Sequence, residues 1–475
     1  MRALVWFRRD LRLDDQRALY EAAKRADRGV VGVFLISPAS WMEHDEAPIK
    51  IDFWLRTLRE LSSSLAAKNI PLLIERADHF SDAPRALLRV AEAHGCDELF
   101  FNREYEVNER ARDARVQRAF DKAGRAARLF TDRVILEPGD VRTQADQFYS
   151  VYTPFKRRWQ QVVMERGVEA LPPPRKQAET GIAPSEVPKH VAGFESFAAD
   201  ASVWPAGEKE ARRRLMRFIE KRIDRYAADR DSPATDGTST LSPYLAAGAI
   251  SPRQCLHAAM EANGGRLDVG KQGPVVWMQE LIWREFYQHV LVAYPRVSMG
   301  LPFRLETQQV RWVEDASAFS AWCEGRTGFP IVDAAMRQLR AIGWMHNRLR
   351  MIVAMFLTKD LLIDWRLGER FFMQHLIDGD LAANNGGWQW SASTGTDAAP
   401  YFRIFNPASQ SRKFDPDGTF IKKYCPELEQ LDGDAVHEPS ELPPLMRGMA
   451  AYPDPIVNHA KARDRALRAF KAVKS

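Results

Sequence analysis

The sequence predicts an open α/β domain with a parallel sheet, followed by a larger domain made almost entirely of helices. The first third alternates short apolar runs with helical patterns, whereas only helical patterns follow from about residue 206. A length of 475 residues also exceeds what one hydrophobic core usually supports. We therefore expect an α/β domain at 1–130, an interdomain linker at 131–205 and a helical domain at 206–475.

Four apolar runs predict the strands of the first domain. They are ALVWF (3–7), VVGVFLI (30–36), PLLIE (71–75) and ELFF (98–101). The apolar residues are continuous instead of alternating, which is typical of strands buried on both faces of a parallel sheet. The Pro-rich LPPPRK, with Pro184 and Pro188 after it, predicts that the linker is extended.

The second domain opens with a helical stripe. Leu215, Phe218, Ile219, Ile223 and Tyr226 recur at spacings of three and four residues, which predicts one apolar face.

Two Ser-Pro pairs indicate further helix starts. Ser242-Pro243 and Ser251-Pro252 each predict a serine N-cap followed by proline at the first helical position. The C-terminal NHAKARDRALRAFKAVKS predicts a basic helix with a solvated face.

The composition is typical of a globular protein and gives no sign of a metal site, a disulfide framework or a membrane span. Hydrophobic residues make up 45% and charged residues 28%, and the net charge of +5 favours polyanions only weakly. Four scattered cysteines form no CxxC pair, so neither a zinc site nor a disulfide framework is indicated, and we expect no metal. We find no signal peptide and no membrane span, so we expect a cytoplasmic protein.

Four stretches of the helical half carry chemistry that packing explains poorly. In WMQELIWREFY, Glu280 and Trp283 are three residues apart and share a helix face. In GWMHNRLRM, Asn347 and Met351 share one face, and His346 and Arg350 share another.

The other two stretches are GTSTLS (237–242) and GDLAANNGGWQW (379–390). The first places hydroxyls ahead of a helix N-terminus, where a phosphate is favoured. The second places Trp388 and Trp390 two residues apart, so they cannot share a helix face, beside two glycines. No GxGxxG follows the first strand, so a flavin dinucleotide would have to be held by the helical half.

Together these stretches resemble the DNA photolyase and cryptochrome family, and most closely the bacterial-type, class I cyclobutane pyrimidine dimer photolyases. The resemblance runs from VWFRRDLRLDD through GRTGFPIVDAAMRQL and GWMHNRLRM to LIDGDLAANNGGWQWSASTGTDAAPYFRIFNP. It implies a Rossmann-like α/β antenna domain and a helical FAD-binding domain. It also implies an enzyme, a deoxyribodipyrimidine photo-lyase. In such an enzyme, photoexcited, reduced FAD donates one electron to a flipped-out pyrimidine dimer, the bonds that join its two bases break, and the electron returns to the flavin.

The resemblance implies a role for each candidate residue. FAD would be held by thirteen residues: Tyr226, Thr238, Ser239, Thr240, Leu241, Ser242, Trp277, Glu280, Arg350, Asp378, Gly379, Asp380 and Asn384. Among them, Arg350 and Asp378 would form a buried ion pair, and Asn384 would face flavin N5. Electrons would pass along Trp312, Trp365 and Trp388. The dimer would be contacted by Glu280, Asn347, Trp283, Met351 and Trp390.

The implied partner is DNA, duplex or single-stranded, that contains pyrimidine dimers. Its backbone would be held by Arg230, Arg348, Arg403, Gln410 and Lys413, together with contacts from Trp283 and Asn347. If four of these cations each neutralise one phosphate, log K should fall with log salt at a slope of about −3.6. Base flipping costs a few kcal/mol, and least for a damaged base. We expect a monomer, nucleoid-associated if the host is bacterial.

A light-harvesting antenna is implied in the first domain. His44, Asn108 and Glu109 match the family's positions for 5,10-methenyltetrahydrofolate. A lysine often found nearby is replaced by Met299, after Ser298, which would weaken retention of the folate tail. A deazaflavin is the other candidate.

Four alternatives compete with this interpretation. A cryptochrome-type blue-light receptor would bind the same flavin but often adds a long polar tail, whereas this sequence ends soon after its last predicted helix. The branch that repairs 6-4 photoproducts would place a histidine pair near Asn347. The iron–sulfur branch needs four cysteines around its catalytic domain, but one of the four cysteines here, Cys96, lies in the first domain. An ordinary flavin oxidoreductase would leave the tryptophan row unexplained.

Overall fold

A computed structural model describes residues 1–195, 200–443 and 451–473. Its first domain contains a sheet of five parallel strands in the order β3-β2-β1-β4-β5. Strands β1 to β5 are Ala3–Phe7, Val30–Ile36, Leu72–Arg76, Glu98–Asn102 and Ala126–Phe130. Helices α1 to α5 are Arg17–Arg25, Pro38–Glu43, Pro48–Ala66, Ala83–Ala93 and Val107–Lys122.

Both faces of the sheet are buried, as the continuous apolar runs predict. Val5 and Phe7 of β1 enter one hydrophobic core, and Leu4 and Trp6 enter the core on the opposite face. The four predicted strands are confirmed. The sequence missed β5 because its residues are only partly buried at the edge of the sheet, so AARLF carries a weaker apolar signal.

The expectation of a wholly extended linker is wrong. Tyr152–Arg166 forms a 15-residue helix, α6, which ends at Gly167 with a φ of 71°. Phe155, Trp159 and Val163 of α6 are buried, because they recur at helical spacing and pack into the core shared with the helical domain. The Pro-rich part that follows is indeed irregular from residue 167 to residue 195, and residues 196–199 lie outside the described range.

The second domain is helical, as predicted. Helices α7 to α13 are Glu208–Lys221, Tyr226–Asp229, Ser242–Ala247, Pro252–Ala262, Gln272–Ala293, Pro295–Ser298 and Ala316–Glu324. Helices α14 to α20 are Pro330–Ile342, Asn347–Met355, Trp365–Met373, Leu381–Ala392, Pro407–Phe414, Thr419–Tyr424 and His459–Ala472. A π-helical turn, Phe356–Asp360, follows α15. The basic C-terminal helix is confirmed as α20, apart from residues 474 and 475, which are not described.

The predictions of helix caps and of the apolar stripe in this domain are confirmed only in part. Ser251 caps α10 and forms a reciprocal capping box with Gln254, as the Ser-Pro pair predicts. The cap predicted at Ser242 is wrong, because α9 begins at Ser242 itself and Leu241 occupies the cap position without a side-chain bond. The apolar stripe from Leu215 to Tyr226 is buried or partly buried, but α7 ends at Lys221 and the chain continues through a 3₁₀ turn.

Buried ion pairs join the two domains. Arg253 of α10 donates to Asp15 at 2.9 Å and to Asp132 at 2.8 Å, and Arg12 donates to the same Asp132 at 2.7 Å. All four side chains are nearly inaccessible to solvent, so breaking one pair leaves an uncompensated charge, which costs about 3–5 kcal/mol. These pairs fix the position of the α/β domain against the helical domain.

Candidate active site

Helix α11 presents the predicted carboxylate and indole side by side. Glu280 accepts a hydrogen bond from Nη1 of Arg230 at 2.6 Å. Burial raises the pKa of Glu280, and the positive charge of Arg230 opposes that rise only in part. Trp283, one turn further on, stacks face to face on Tyr152 of α6, with ring centroids 3.6 Å apart. Tyr152 therefore fixes one face of the indole.

Helix α15 presents the second predicted pair. Asn347 is its exposed first residue, and Met351 lies one turn later, half-buried, on the same face. The assignment of His346 to a helix face is wrong. Its side chain caps the helix by accepting from the backbone N–H of Arg348, and burial lowers the pKa of its imidazole to about 4.

The predicted ion pair between Arg350 and Asp378 is confirmed. Nη2 of Arg350 donates to both carboxylate oxygens of Asp378, at 2.8 and 3.0 Å, and Nε donates to the carbonyl of Met345. The Asp378 side chain is only 3% exposed. Removing either partner alone should therefore cost far more than the net contribution of the pair.

The two residues that follow are tied to the first domain and the linker. The carbonyl of Gly379 accepts from Nζ of Lys50 in α3 at 2.5 Å. Asp380 caps α17 by accepting from the N–H of Ala383, and it also accepts from Arg133 at 2.6 Å. Burial would raise the pKa of Asp380, but the charges of nearby arginines, Arg133 foremost, hold it at about 2.

Helix α17 carries the predicted asparagine. Nδ2 of Asn384 donates to the backbone carbonyl of Glu369 at 2.9 Å, and Nδ2 of Asn385 donates to the carboxylate of Glu369 at 2.9 Å. Burial raises the pKa of that carboxyl group to about 7. The bond from Asn384 uses one of its two amide N–H groups, and its amide oxygen accepts no hydrogen bond from another described residue.

The glycine-rich run forms a regular helix, α17, despite its two glycines. Asp380 caps it, and Gly386 lets it approach Tyr287, whose ring a Cβ at that position would meet at 2.3 Å. Tertiary packing thus overrides the low helix propensity of glycine. Trp388 is buried and Trp390 is half-buried, so the two indoles occupy different environments, as their spacing predicts.

The predicted tryptophan row shares one hydrophobic core. Trp388 and Trp365 are 2% and 1% exposed, whereas Trp312 is partly buried and packs at the edge of that core against Phe470. Two of the three indoles are thus buried and the third is partly exposed. Nε1 of Trp388 is buried and has no hydrogen-bond partner among the described residues.

Packing around Trp388 yields a stability prediction. A Cβ at Gly368 of α16 would meet Cη2 of Trp388 at 2.1 Å, so Gly368→Ala should destabilise the fold by about 1–3 kcal/mol through overpacking. This clash exceeds the ~1 kcal/mol that alanine gains in helix propensity. Gly387→Ala is the matched control, because a Cβ there would meet nothing within 4 Å and should be neutral or stabilising. Thermal unfolding of both variants tests the prediction; equal melting temperatures would contradict it.

The predicted hydroxyl segment, Thr238 to Ser242, is held by basic and aromatic side chains. Arg222 donates to the carbonyl of Thr238, and Arg214 donates to Oγ1 of Thr240 at 2.9 Å. The Thr240 hydroxyl itself donates to the carbonyl of Ser239. Nε1 of Trp344 donates to Oγ of Ser242 at 3.1 Å. Leu241 is fully buried. Thr240 has a φ of 50°, a conformation uncommon for a residue other than glycine.

Tyr226 and Trp277, the two predicted aromatic residues of the cofactor site, lie on one surface. Both are buried against Phe218, with ring centroids 5.7 and 5.0 Å away. The guanidinium of Arg230 lies over the Tyr226 ring, so this surface continues to Glu280.

The predicted backbone-binding residues divide into two groups. Arg230 and Arg348 are already paired, with Glu280 and Asp231. Arg403 and Lys413 are exposed and form no ion pair with any other described residue, and Gln410 is half-buried on α18 beside Lys413.

The antenna residues are brought together only in part. Nδ2 of Asn108 lies 2.9 Å from Nε2 of His44, although 64 residues separate them. Oγ of Ser298 accepts from the backbone N–H of Val107, which precedes Asn108. Met299, which follows Ser298 and is 67% exposed, therefore lies near the contact of His44 with Asn108. The Glu109 carboxylate is instead buried against Arg9 at 2.9 Å.

The helical residues fit a flavin dinucleotide. Among the described residues, Oε1 of Gln288 and Nε2 of His346 are buried without a hydrogen-bond partner. Such atoms are typical of a polar ligand site. Gln288 also donates to Asp380. Asn384, whose oxygen accepts no hydrogen bond from another described residue, lies on the neighbouring helix α17.

Several residues of this site were not found from the sequence. Tyr152, Arg133 and Lys50 lie outside the helical domain, and Glu369 acts partly through its backbone carbonyl. Only Tyr152 carried a usable signal, since it begins the helical pattern of α6. Within the described part of the chain, no helix is long and apolar enough to cross a membrane, and no cluster of three or more potential metal ligands is present.

Comparison with known proteins agrees with this geometry. A family model described as DNA photolyase matches residues 3–176, and one described as the FAD binding domain of DNA photolyase matches residues 277–472. A deoxyribodipyrimidine photo-lyase of Salmonella typhimurium is 47% identical over 471 residues, 99% of this chain and 98% of that relative. A bacterial class III photolyase from Agrobacterium tumefaciens superposes with a TM-score of 0.87 at 36% identity, covering 99% of this chain and 97% of the other. A Synechocystis cryptochrome has the same TM-score at 27% identity, with 98% of each chain covered. The chain belongs to the DNA photolyase family.

Proposed function

We infer that this chain is a deoxyribodipyrimidine photo-lyase that repairs cyclobutane pyrimidine dimers in DNA under light. Near-full-length relatives carry that name, and the chain has the family's FAD-binding domain. Bound FAD supplies the light-driven transfer of an electron to the dimer. The protein's own residues bind, orient and desolvate the reacting groups.

One observation carries the proposal, namely a partly buried carboxyl group, 30% exposed, on the same helix face as the indole of Trp283. Burial raises the pKa of Glu280, and Arg230 opposes this rise in part. The rise favours the protonated form, which can donate a hydrogen bond to a pyrimidine carbonyl. Asn347 can do the same from α15. A donor aimed at the atom where negative charge develops acts most strongly in a site that excludes water. Trp283, Met351 and Trp390 supply the apolar surfaces that exclude it.

Survival after ultraviolet irradiation tests this function in cells. The chain should restore survival to bacteria that lack photolyase, but only when visible light follows the ultraviolet dose. Recovery of equal size in the dark would contradict the proposal.

We also propose that Asn384 faces flavin N5 through its oxygen. One of its two amide N–H groups donates to the carbonyl of Glu369, which fixes the amide plane and leaves the oxygen available as an acceptor. An acceptor suits a ring nitrogen that carries hydrogen, which is the state of reduced flavin. Glu369 therefore orients Asn384 toward the form of the cofactor that repair requires.

DNA binding should depend on salt less steeply than four free arginine and lysine residues imply. Of the four predicted backbone-binding cations, only Arg403 and Lys413 form no ion pair with another described residue, so log K should fall with log salt at a slope of about −1.8. Lys413→Gln should reduce the slope by about 0.9, whereas Arg348→Gln should leave it nearly unchanged. Titrations of dimer-containing duplex at several salt concentrations measure both. A slope near −3.6 would show that Arg230 and Arg348 exchange their carboxylates for phosphates.

A folate antenna at the contact of His44 and Asn108 is a further part of the proposal. Asn108 and the neighbouring Met299 offer one polar and one apolar contact, and Glu109 offers none because Arg9 holds it. A deazaflavin has a different candidate position, a cavity at the carboxyl ends of β1 and β2 lined by Trp6, Arg8, Trp41 and Trp54. Ligand sites at such strand ends are common in open α/β sheets. The fluorescence of chromophore released from purified protein distinguishes the two.

A cryptochrome-type receptor is the alternative, since a cryptochrome shares the fold. A receptor needs the flavin but not the dimer contacts, so Glu280 and Trp283 favour repair. We propose that the protein acts as a monomer and needs no metal. In a bacterium it would act at the nucleoid, where its DNA substrate lies.

A further inference from the structure

The segment from Asp378 to Asp380 receives buried charged groups from outside the helical domain. Arg133 lies just after β5, and its Nη2 donates to Asp380 at 2.6 Å. The exposed fractions of these two side chains are 3% and 8%. The backbone carbonyl of Arg133 accepts from Nη1 of Arg284 on α11 at 2.7 Å. Arg133 thus contacts the cap of α17 and the neighbouring helix α11 together.

A second buried cation reaches the same segment from α3. Nζ of Lys50 donates to the carbonyl of Gly379 at 2.5 Å and is paired with Glu46. The Lys50 side chain is completely buried. Two cations from the N-terminal half of the chain therefore hold adjacent residues of the segment that precedes Asn384.

These contacts continue toward the antenna residues. Arg133 is paired with Glu106 at 3.1 Å, Glu106 with Arg9 at 2.9 Å, and Arg9 with Glu109 at 2.9 Å. Every side chain in this sequence of ion pairs is at most 11% exposed. Charges so poorly screened by water interact strongly, so a change in one of them alters the field at the next.

We propose that Arg133 and Lys50 are positioning residues of the flavin site, which set both the place and the electrostatic field of the segment 378–380. The proposal rests on FAD binding by the helical domain. Arg133 acts through Asp380, whose carboxylate it neutralises and whose capping bond orients α17 with Asn384 and Trp388. Lys50 acts through the carbonyl of Gly379.

The sign of the effect follows from charge. Without Arg133, the Asp380 carboxylate still accepts from Gln288 and from the N–H of Ala383, and these hydrogen bonds favour its ionised form. The surroundings of bound FAD then carry one more uncompensated negative charge. Adding electrons to the flavin becomes less favourable, so its midpoint potential should fall.

The experiment measures the midpoint potential of bound FAD in the dark at pH 8, without DNA. Arg133→Gln should shift the equilibrium against reduced flavin by at least tenfold, about 30 mV for a two-electron couple. Arg133→Lys, which keeps the charge, should recover most of that shift. Arg253→Gln is the matched control, since Arg253 is also a buried interdomain arginine but pairs with Asp15 and Asp132 instead. It should lose thermal stability but keep the potential.

Equal potentials for Arg133→Gln and Arg253→Gln would overturn the proposal, because Arg133 would then serve the fold alone. Loss of flavin from folded Arg133→Gln, with flavin retained in Arg253→Gln, would support it. If Arg133→Gln does not fold, Lys50→Met gives the same test, and an unchanged potential there contradicts the proposal. None of these measurements involves repair, so they can fail or succeed independently of the photo-lyase activity.

Discussion

Replacing Glu280 with alanine should lower the yield of dimer repair at least tenfold and leave FAD bound. The variant removes the donor beside the dimer, and loss of one such donor costs about 100- to 1,000-fold in enzymes that stabilise a developing anion. It also leaves Arg230 without its carboxylate. Repair per absorbed photon, measured with chemically reduced protein, tests the prediction.

The matched control is Glu280→Gln, which keeps a hydrogen-bond donor that does not titrate. Burial raises the pKa of Glu280. Its protonated, donating form is therefore present below that pKa and is lost as the pH rises through it. Repair by the unaltered protein should decline with rising pH across that range, and repair by Glu280→Gln should not. Unchanged repair in Glu280→Ala would remove Glu280 from the mechanism.

Replacing Trp388 with phenylalanine should abolish the light-driven reduction of oxidised FAD. Trp388 is the innermost member of the proposed row, and phenylalanine is much harder to oxidise than an indole. Repair should persist when the variant is reduced chemically, because the row serves reduction of the cofactor and not the dimer. Absorbance of the flavin during illumination with an external reductant measures the loss.

Trp322→Phe is a matched control for that variant. Trp322 is also fully buried in the same core and contacts Trp388, with ring centroids 6.0 Å apart, but it lies outside the proposed row. Both variants remove a similar volume from the core, and each should cost less than the ~3–5 kcal/mol of truncation to alanine. If both lose reduction equally, packing and not the row is responsible.

The sequence predicted the parts of the fold whose signals are local. Continuous apolar runs predicted four buried strands, and Ser251 with Gln254 is a capping box that can be read directly. The edge strand and helix α6 were missed because their burial depends on neighbours far along the chain. The sequence did not predict the regular helix through Gly386 and Gly387, because glycine has low helix propensity and the contact with Tyr287 depends on tertiary packing.

The candidate site divides in the same way. Helical spacing alone placed Glu280 with Trp283 and Asn347 with Met351. The resemblance supplied the pair of Arg350 and Asp378, which the structure confirms. Arg133 and Lys50 were beyond prediction, because their contacts join residues more than two hundred positions apart and only the packed domains bring them together.

The most direct test of the central claim uses purified protein carrying fully reduced FAD and an oligonucleotide with one thymine dimer. Under visible light the protein should restore two intact thymines in every oligonucleotide it binds, over repeated turnovers, and a dark sample should restore none. Dimers that persist under light, or that disappear equally in the dark, would contradict the account.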